Sequence, residues 1–325
     1  MRVAVFVSAL ALLAGCAETE SKSDAVDRTY REMVPDASAQ LEYLDSIRPL
    51  DPCGFVDGAA VARLGRTEFF GAGSGLNSCE IAYATGNPVP LVVVEMVNQA
   101  WSSLAKPVDV GGGKTVNVDE YSETADHCNA YAPFDDKLAI NYRVYGEGNR
   151  CDDVTAVAAA SLPTLTTRPL RTESRHPSAA TKLSRMDPCQ PLGVVGKGQQ
   201  RVSIGQGWDP SKCTFFVGEV PTSTIDNATS KFRHHIEFGF LSEMYSTQAG
   251  AGQPRNDIGS TPVTEMPKAV GADGCRLWIG VGHATPTLAA GEKRFDTIEV
   301  SVGSGGCAAA RVIAEDLVRV YEAVD

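Results

Sequence analysis

Asp51-Pro52-Cys53 returns as Asp187-Pro188-Cys189, and the rest of the chain is arranged around the two copies. Each copy is followed by a second cysteine in a strand-like run, Cys79 or Cys213. A later pair comes next, Cys128 with Cys151 or Cys275 with Cys307. The last cysteine of each set opens an alanine-rich helical pattern. From copy to copy the four cysteines are displaced by 136, 134, 147 and 156 residues, in chain order. Displacements that hold early and grow late mark two related units, the second lengthened by late insertions. A chain of 325 residues has room for two domains of ordinary size.

Nine cysteines are present. Eight belong to the repeated sets, and an even set at matched spacings in an exported chain reads as a disulfide framework. Isolated buried thiols would not recur in the same order twice, and no CxxC or HxxxH spacing offers a zinc site. Connectivity does not follow from sequence. Pairing within each unit, Cys53–Cys79, Cys128–Cys151, Cys189–Cys213 and Cys275–Cys307, is preferred because it leaves each unit self-sufficient. Closing each loop would contribute roughly 3 to 4 kcal/mol through chain entropy.

The ninth cysteine, Cys16, ends an apolar run. In MRVAVFVSALALLAGC a single basic residue, Arg2, precedes apolar residues from Val3 to Ala14, the length of a signal-peptide core and too short for a resident membrane helix. Leu13-Ala14-Gly15-Cys16 resembles a bacterial lipobox. The resemblance implies cleavage before Cys16, a diacylglycerol thioether on its sulfur and acylation of the new N-terminus; two or more acyl chains give stable anchoring where one does not. Residues 1–15 are therefore expected to be a signal peptide and 16–44 a polar lipidated tether. Asp36 to Arg48 could form a short amphipathic helix through Leu41, Leu44 and Ile47.

The net charge of −11 becomes −12 once Arg2 is lost with the signal. Residues 45–165 carry 16 acids against 8 bases and residues 183–325 carry 16 against 13, whereas 166–182 carry 1 against 4. Acidity on this scale excludes nucleic acid, whose phosphates require basic stripes. It favours solubility, and it leaves a basic joint between two acidic units.

Strands are expected in unit one (45–165) at Ser78–Ala84, Leu91–Asn98, Val108–Val118 as two strands about Gly111-Gly112-Gly113, Cys128–Tyr131 and Leu138–Tyr145, the last alternating as a half-buried strand does. Asp57 can cap a helix through Val61 and Leu64. Gly71 to Gly75 reads as a turn, without the GxGxxG spacing of a nucleotide site. Asp152 and Asp153 open a helix ending before Pro163. Residues 166–182 read as a linker. In unit two (183–325) glycines and Pro191 predict that the first helix is short or lost. Strands are expected at Cys213–Val220, His234–Leu241, Cys275–Gly282 and Phe295–Val302. The helix Ala308–Val324 carries Ile313, Leu317, Val320 and Tyr321 on one stripe.

Leu50-Asp51-Pro52-Cys53, Ser78-Cys79, Gly111-Gly112, Cys128, Cys151-Asp152 and Leu162-Pro163 together resemble the uncharacterised "domain of unknown function" lipoproteins of actinobacteria. More distantly, they resemble the disulfide-bonded extracellular sensor domains of mycobacterial-type serine/threonine kinases. Ile81 stands where many members carry Trp, and unit two lacks the Leu-Pro ending. The resemblance implies an α+β fold in which each unit is an antiparallel sheet packed by helices. It implies no catalytic residues.

Catalytic constellations are weak. Ser103-Leu104-Ala105-Lys106 matches SxxK, but Lys114-Thr115-Val116 breaks the KTG that should follow, and no GxSxG occurs. His234-His235-Ile236-Glu237 could place His235 and Glu237 on one strand face as metal ligands; no third ligand is near, and an exposed strand face accounts for it better. Asp135-Asp136 reads as a turn. Trp101, Trp208 and Trp278 could anchor a binding surface, with Trp278 more naturally packed. Asn227-Ala228-Thr229 fits a sequon without meaning in a bacterial lipoprotein.

The expectation is a non-enzymatic binding or sensing lipoprotein on the outer face of an actinobacterial plasma membrane, anchored through Cys16, without cofactor or metal. Its partner would be a cell-wall, lipid or protein component. The alternative is a structural or assembly accessory to a membrane complex. A hydrolase would need a nucleophile–base–orienter set that is lacking. An anionic partner would engage between the units at the basic joint, Arg168, Arg171 and Arg175 with His176.

Overall fold

A computed structural model describes residues 29–84, 91–99, 105–119, 127–146, 150–177, 180–218, 231–242, 256–282, 285–286 and 293–324. The chain is α+β, with two antiparallel sheets and few helices. In the first sheet β1 (Thr67–Ala72), β2 (Ser78–Tyr83), β3 (Leu91–Asn98), β7 (Leu138–Tyr145), β6 (His127–Pro133), β5 (Thr115–Asp119) and β4 (Lys106–Asp109) lie in that order. The second sheet runs β8 (Val202–Ile204), β9 (Lys212–Val217), β10 (Arg233–Ser242), β14 (Lys293–Val302), β12 (Cys275–Gly280), β11 (Val263–Pro267), with β13 (Thr285–Pro286) pairing β14. Setting β4 and β13 aside, the two orders are the same.

The repeat extends to single residues. Cys79 faces Val94 across β2 and β3, and Val94 faces Tyr142 on β7. Cys213 faces Ile236, which faces Val300. Two residues beyond Tyr142 and Val300 stand Val144 and Val302, opposite Cys128 and Cys275. Starting from either disulfide therefore gives one alignment, in which Tyr142 matches Val300 and Leu138 matches Asp296. The four pairs are Cys53–Cys79, Cys128–Cys151, Cys189–Cys213 and Cys275–Cys307, all within units.

Helices cover one face of each sheet. α1 (Ser38–Ile47) precedes unit one. α2 (Gly58–Ala62) is capped by Asp57, which accepts from Ala60 N at 2.7 Å, satisfying an otherwise orphaned donor. α3 (Cys151–Ser161) carries Asp152 and Asp153 in its first turn and closes unit one. α4 (Leu192–Val195) has four residues, the shortened helix expected where glycines and Pro191 accumulate. α5 (Gly306–Ala323) buries Ile313, Leu317 and Val320 against sheet two, with Tyr321 partly buried on the same stripe. Strand-interior alternation sets the buried face: Leu138, Ile140, Tyr142 and Val144 are fully buried in the first core, and Ile298, Val300 and Val302 in the second. Strands β1, β8 and β11 were not expected. They are short or lie at or next to a sheet edge, so their alternation is weak.

Two boundaries differ from expectation. Residues 16–44 were expected to be tether, yet Thr29–Met33 forms a 3-10 helix, and Tyr30, Val34 and Leu41 lie in the core of unit two. Leu44 and Ile47, on the same helix as Leu41, lie in the core of unit one. Residues 166–182 were expected to be linker, yet 169–177 are built onto unit one, while Lys182 donates to Val324 O of unit two. Asp51 N donates to Pro169 O at 2.8 Å, Arg171 N to Pro49 O at 2.8 Å and Ala72 N to Pro177 O at 3.1 Å. Each segment leading into a repeat thus packs, at least in part, on the other repeat. The hairpin turns do likewise: Ala72 and Leu76 enter the second core, Trp208 packs against the first, and Phe240 N donates to Ser74 O at 2.8 Å.

Candidate functional site

The repeated Asp-Pro-Cys makes the same local turn twice. Asp51 Oδ1 accepts from Cys53 N at 2.9 Å, and Asp187 Oδ1 from Cys189 N at 3.0 Å; this is the side-chain-to-backbone bond that Asp makes two residues on. The cations that meet these carboxylates come from the leading segments. Arg31 Nη2 lies 3.3 Å and Arg48 Nη2 3.6 Å from Asp187, and Tyr30 Oη donates to it at 2.5 Å. Burial first, and then Asp187, hold the Tyr30 phenol well above its ordinary range.

Arg171 sits inside the corresponding corner of unit one. It is 4 % exposed and donates to Arg48 O at 3.0 Å and to Leu76 O. Burial pushes the guanidinium down to about 10, against the pull of Asp51. The expected cationic patch at the joint is therefore not assembled: Arg171 is an internal tie, its fork of N–H donors satisfying buried carbonyls from two separate stretches of chain at once. Arg168 and Arg175 are exposed, Arg168 lying 5.2 Å from the Phe134 ring, while His176 stacks on Phe70 at 4.0 Å.

A cleft of about 170 Å³ opens where β8 leaves β9, beside α1. Gln40, Gly205, Gly207, Lys212, Thr214 and His235 line it. The Gln40 amide donates to Gly205 O at 3.0 Å and Gly207 O at 2.9 Å, so α1 holds the loop between β8 and β9 in place. Gly205 N donates to Thr214 O at 2.7 Å, and a Cβ on Gly205 would lie 3.3 Å from Thr214. Next to the loop, Trp208 meets Tyr43 edge-on at 5.3 Å, with Lys137 Nζ 5.6 Å from its ring.

Side chains at the cleft form a ladder across β9 and β10. Asp209 accepts from Ser211 and from Asn77 Nδ2 at 3.1 Å. Lys212 Nζ lies 3.5 Å from Asp209 and 3.0 Å from Glu237. His235 Nε2 lies 3.7 Å from Glu237, and its Nδ1 is 2.8 Å from Thr214 Oγ1. Burial raises Glu237, but His235 and Lys212 outweigh it and hold the carboxyl below its ordinary value. Burial lowers Lys212, but Asp209 and Glu237 outweigh it and hold the amine above its own. The ladder is therefore charged and internally compensated. Sequence placed His235 and Glu237 on one strand face, and they are on one face. Glu237 is engaged by Lys212, and no group of three or more metal-ligating side chains occurs among the described residues.

No family model, curated protein or solved structure matches this chain. Thr214, His235 and Glu237 stand in the order of a hydrolytic relay, but Thr214–His235 and Lys212–Glu237 are directly opposed cross-strand pairs. That is the ordinary way a sheet stabilises an exposed face. The N–H of the loop glycine Gly205, the donor an oxyanion would need, is already given to Thr214 O.

Other sequence candidates fall elsewhere. Cys16, Trp101, Ser103 and Asn227 lie outside the described residues. Trp278 is on the outer face of sheet two rather than in a core, its indole donating to Glu299 at 3.0 Å. Asp135 Oδ1 accepts from Lys137 N and Leu138 N, making the expected turn. Asp296 was missed: it is 5 % exposed, its Oδ2 accepts from Tyr321 at 3.2 Å, and its Oδ1 has no partner. Burial pushes this carboxyl up to about 6.

Proposed function

We propose that the protein is a non-enzymatic, lipid-anchored binding lipoprotein of the outer face of an actinobacterial plasma membrane. It would be a tandem relative of the lipoproteins that unit one resembles, presenting a rigid two-lobed surface to an envelope partner. The supporting observation is the interlocking of the lobes around the cleft. Leading segments and hairpin turns are exchanged in both directions, so the polar surface at α1, β8 and β9 is held by both units together. Its volume, about 170 Å³, is below the roughly 300–1,000 Å³ of pockets that engulf a small molecule. That size favours a macromolecule laid over the surface, with one polar group entering the cleft. This brings the accessory reading, with a protein partner, level with a sensing one. Four disulfides agree with a compartment outside the cytoplasm.

The test is site-directed photocrosslinking in intact cells. A photoreactive residue replacing Gln206, in the loop at the cleft, should trap a specific envelope component, and Lys212→Ala should reduce that yield severalfold. Crosslinks that form equally well from Lys114, on the hairpin between β4 and β5 of sheet one, would remove the cleft from the proposal.

A further inference from the structure

The way the N-terminal segment is seated says which face of the molecule lies against the membrane, if Cys16 is the anchor. Tyr30 and Met33, in the first helical turn described, pack on α4: a Cβ on Gly193 would lie 3.5 Å from Tyr30 Cβ, and one on Gly196 3.5 Å from the end of Met33. From Cys16 to Thr29 the chain advances 13 residues, which span at most about 45 Å. The tether therefore joins the body at the α4 corner of unit two.

Like residues 166–182, that corner carries more bases than acids in this acidic chain. Between Asp187 and Asp209 there is no acidic residue, while Lys197 and Arg201 are both present. Lys197-Gly198-Gln199-Gln200-Arg201 is exposed throughout, turning through Gly198 at φ 76° with open space around it. Val194, on α4 just before it, is 45 % exposed, one of three large apolar side chains so exposed among the described residues. The N-terminal turn carries the exposed Glu32, and the tether before it carries Glu18, Glu20, Asp24 and Asp27 against Lys22 and Arg28. Cations and an apolar side chain beside a lipid tether form an arrangement that an anionic bilayer surface complements, each cation contributing favourably within a Debye length.

We infer that the α4 corner, Val194 with the Lys197–Arg201 turn, rests on anionic phospholipid headgroups and sets the orientation of the body, with unit one and the cleft loop held away from direct lipid contact. The inference rests on the lipoprotein reading, and the experiment separates the two. Lipidated full-length protein is incorporated into phosphatidylcholine vesicles with or without phosphatidylglycerol. Flotation with the vesicles reports the anchor. A fluorophore on Gln199→Cys or, as control, Lys114→Cys reports proximity to a headgroup-attached quencher.

The expected result is quenching at position 199 that exceeds that at 114 and increases with phosphatidylglycerol. Lys197→Glu with Arg201→Glu should cut the phosphatidylglycerol-dependent part by about threefold or more, whereas Arg168→Glu with Arg175→Glu should leave it unchanged. Protein that fails to float overturns the anchor. Protein that floats but shows equal quenching at both positions, or quenching indifferent to the 197/201 reversal, overturns this inference alone.

Discussion

The Asp51 and Asp187 corners are built from the same three residues and closed by different means. At Asp187 a tyrosine, the partly buried Arg31 and the buried Arg48 arrive from the leading segment of unit one. At Asp51 one fully buried arginine arrives from the leading segment of unit two and ties Arg48 O and Leu76 O together. The turn is local and was copied with the sequence. The charge that meets each carboxylate is not local, and each unit depends on chain that the other unit's repeat would claim. The same contrast holds in the sheets, where Leu138 is fully buried and its counterpart Asp296 is a buried acid.

Removing the Arg171 tie should have the largest effect. Arg171→Ala leaves two buried carbonyls and Asp51 without their cation, so about 3–5 kcal/mol of stability should be lost, read from chemical denaturation. Arg168→Ser and Arg175→Ser, on exposed side chains, should change stability by no more than about 0.5 kcal/mol. Equal effects at all three positions would return residues 166–182 to the status of a spacer.

Asp296 sharpens the comparison between the sheets. Its carboxyl titrates near 3.8 when unfolded and near 6 when folded, so between those values the folded protein keeps a proton that the unfolded chain has lost. Stability from this group is complete below pH about 4 and lost as pH rises through about 6, in total about 3 kcal/mol. Asp296→Leu, which installs the residue of unit one, should abolish that slope and raise stability at pH 7.5 by about 1–3 kcal/mol. A variant whose pH–stability curve parallels the parent would show that water or a cation already satisfies the site.

Tyr30→Phe should cost less than loss of the Arg171 tie, about 1.5–3 kcal/mol, as expected for a hydrogen bond to a charged group. Because Tyr30 belongs to the core of unit two, amide exchange should accelerate in β9, β10 and α5 before it does in β3 or β7. Acceleration confined to the N-terminal turn would mean that the segment only lies on unit two and does not complete it.

The sequence by itself determined the number of units, the disulfide framework, most of the central strands and the long closing helix. These features follow from short-range rules: a period of two for half-buried strands, a period near 3.6 for helices, and cysteines repeated in order. It even placed His235 and Glu237 on one face, since that needs only strand periodicity. The edge strands β1, β8 and β11 escaped because their burial does not alternate. The exchange of leading segments escaped because a polar, Thr- and Arg-rich stretch looks the same whether water or a neighbouring carbonyl satisfies it. Only tertiary structure turned Arg171 from a surface cation into an internal tie, drew Tyr30 out of the tether into a core, and left one oxygen of Asp296 without a partner. In each case the deciding quantity is desolvation, which depends on what packs overhead and is not encoded in any window of adjacent residues.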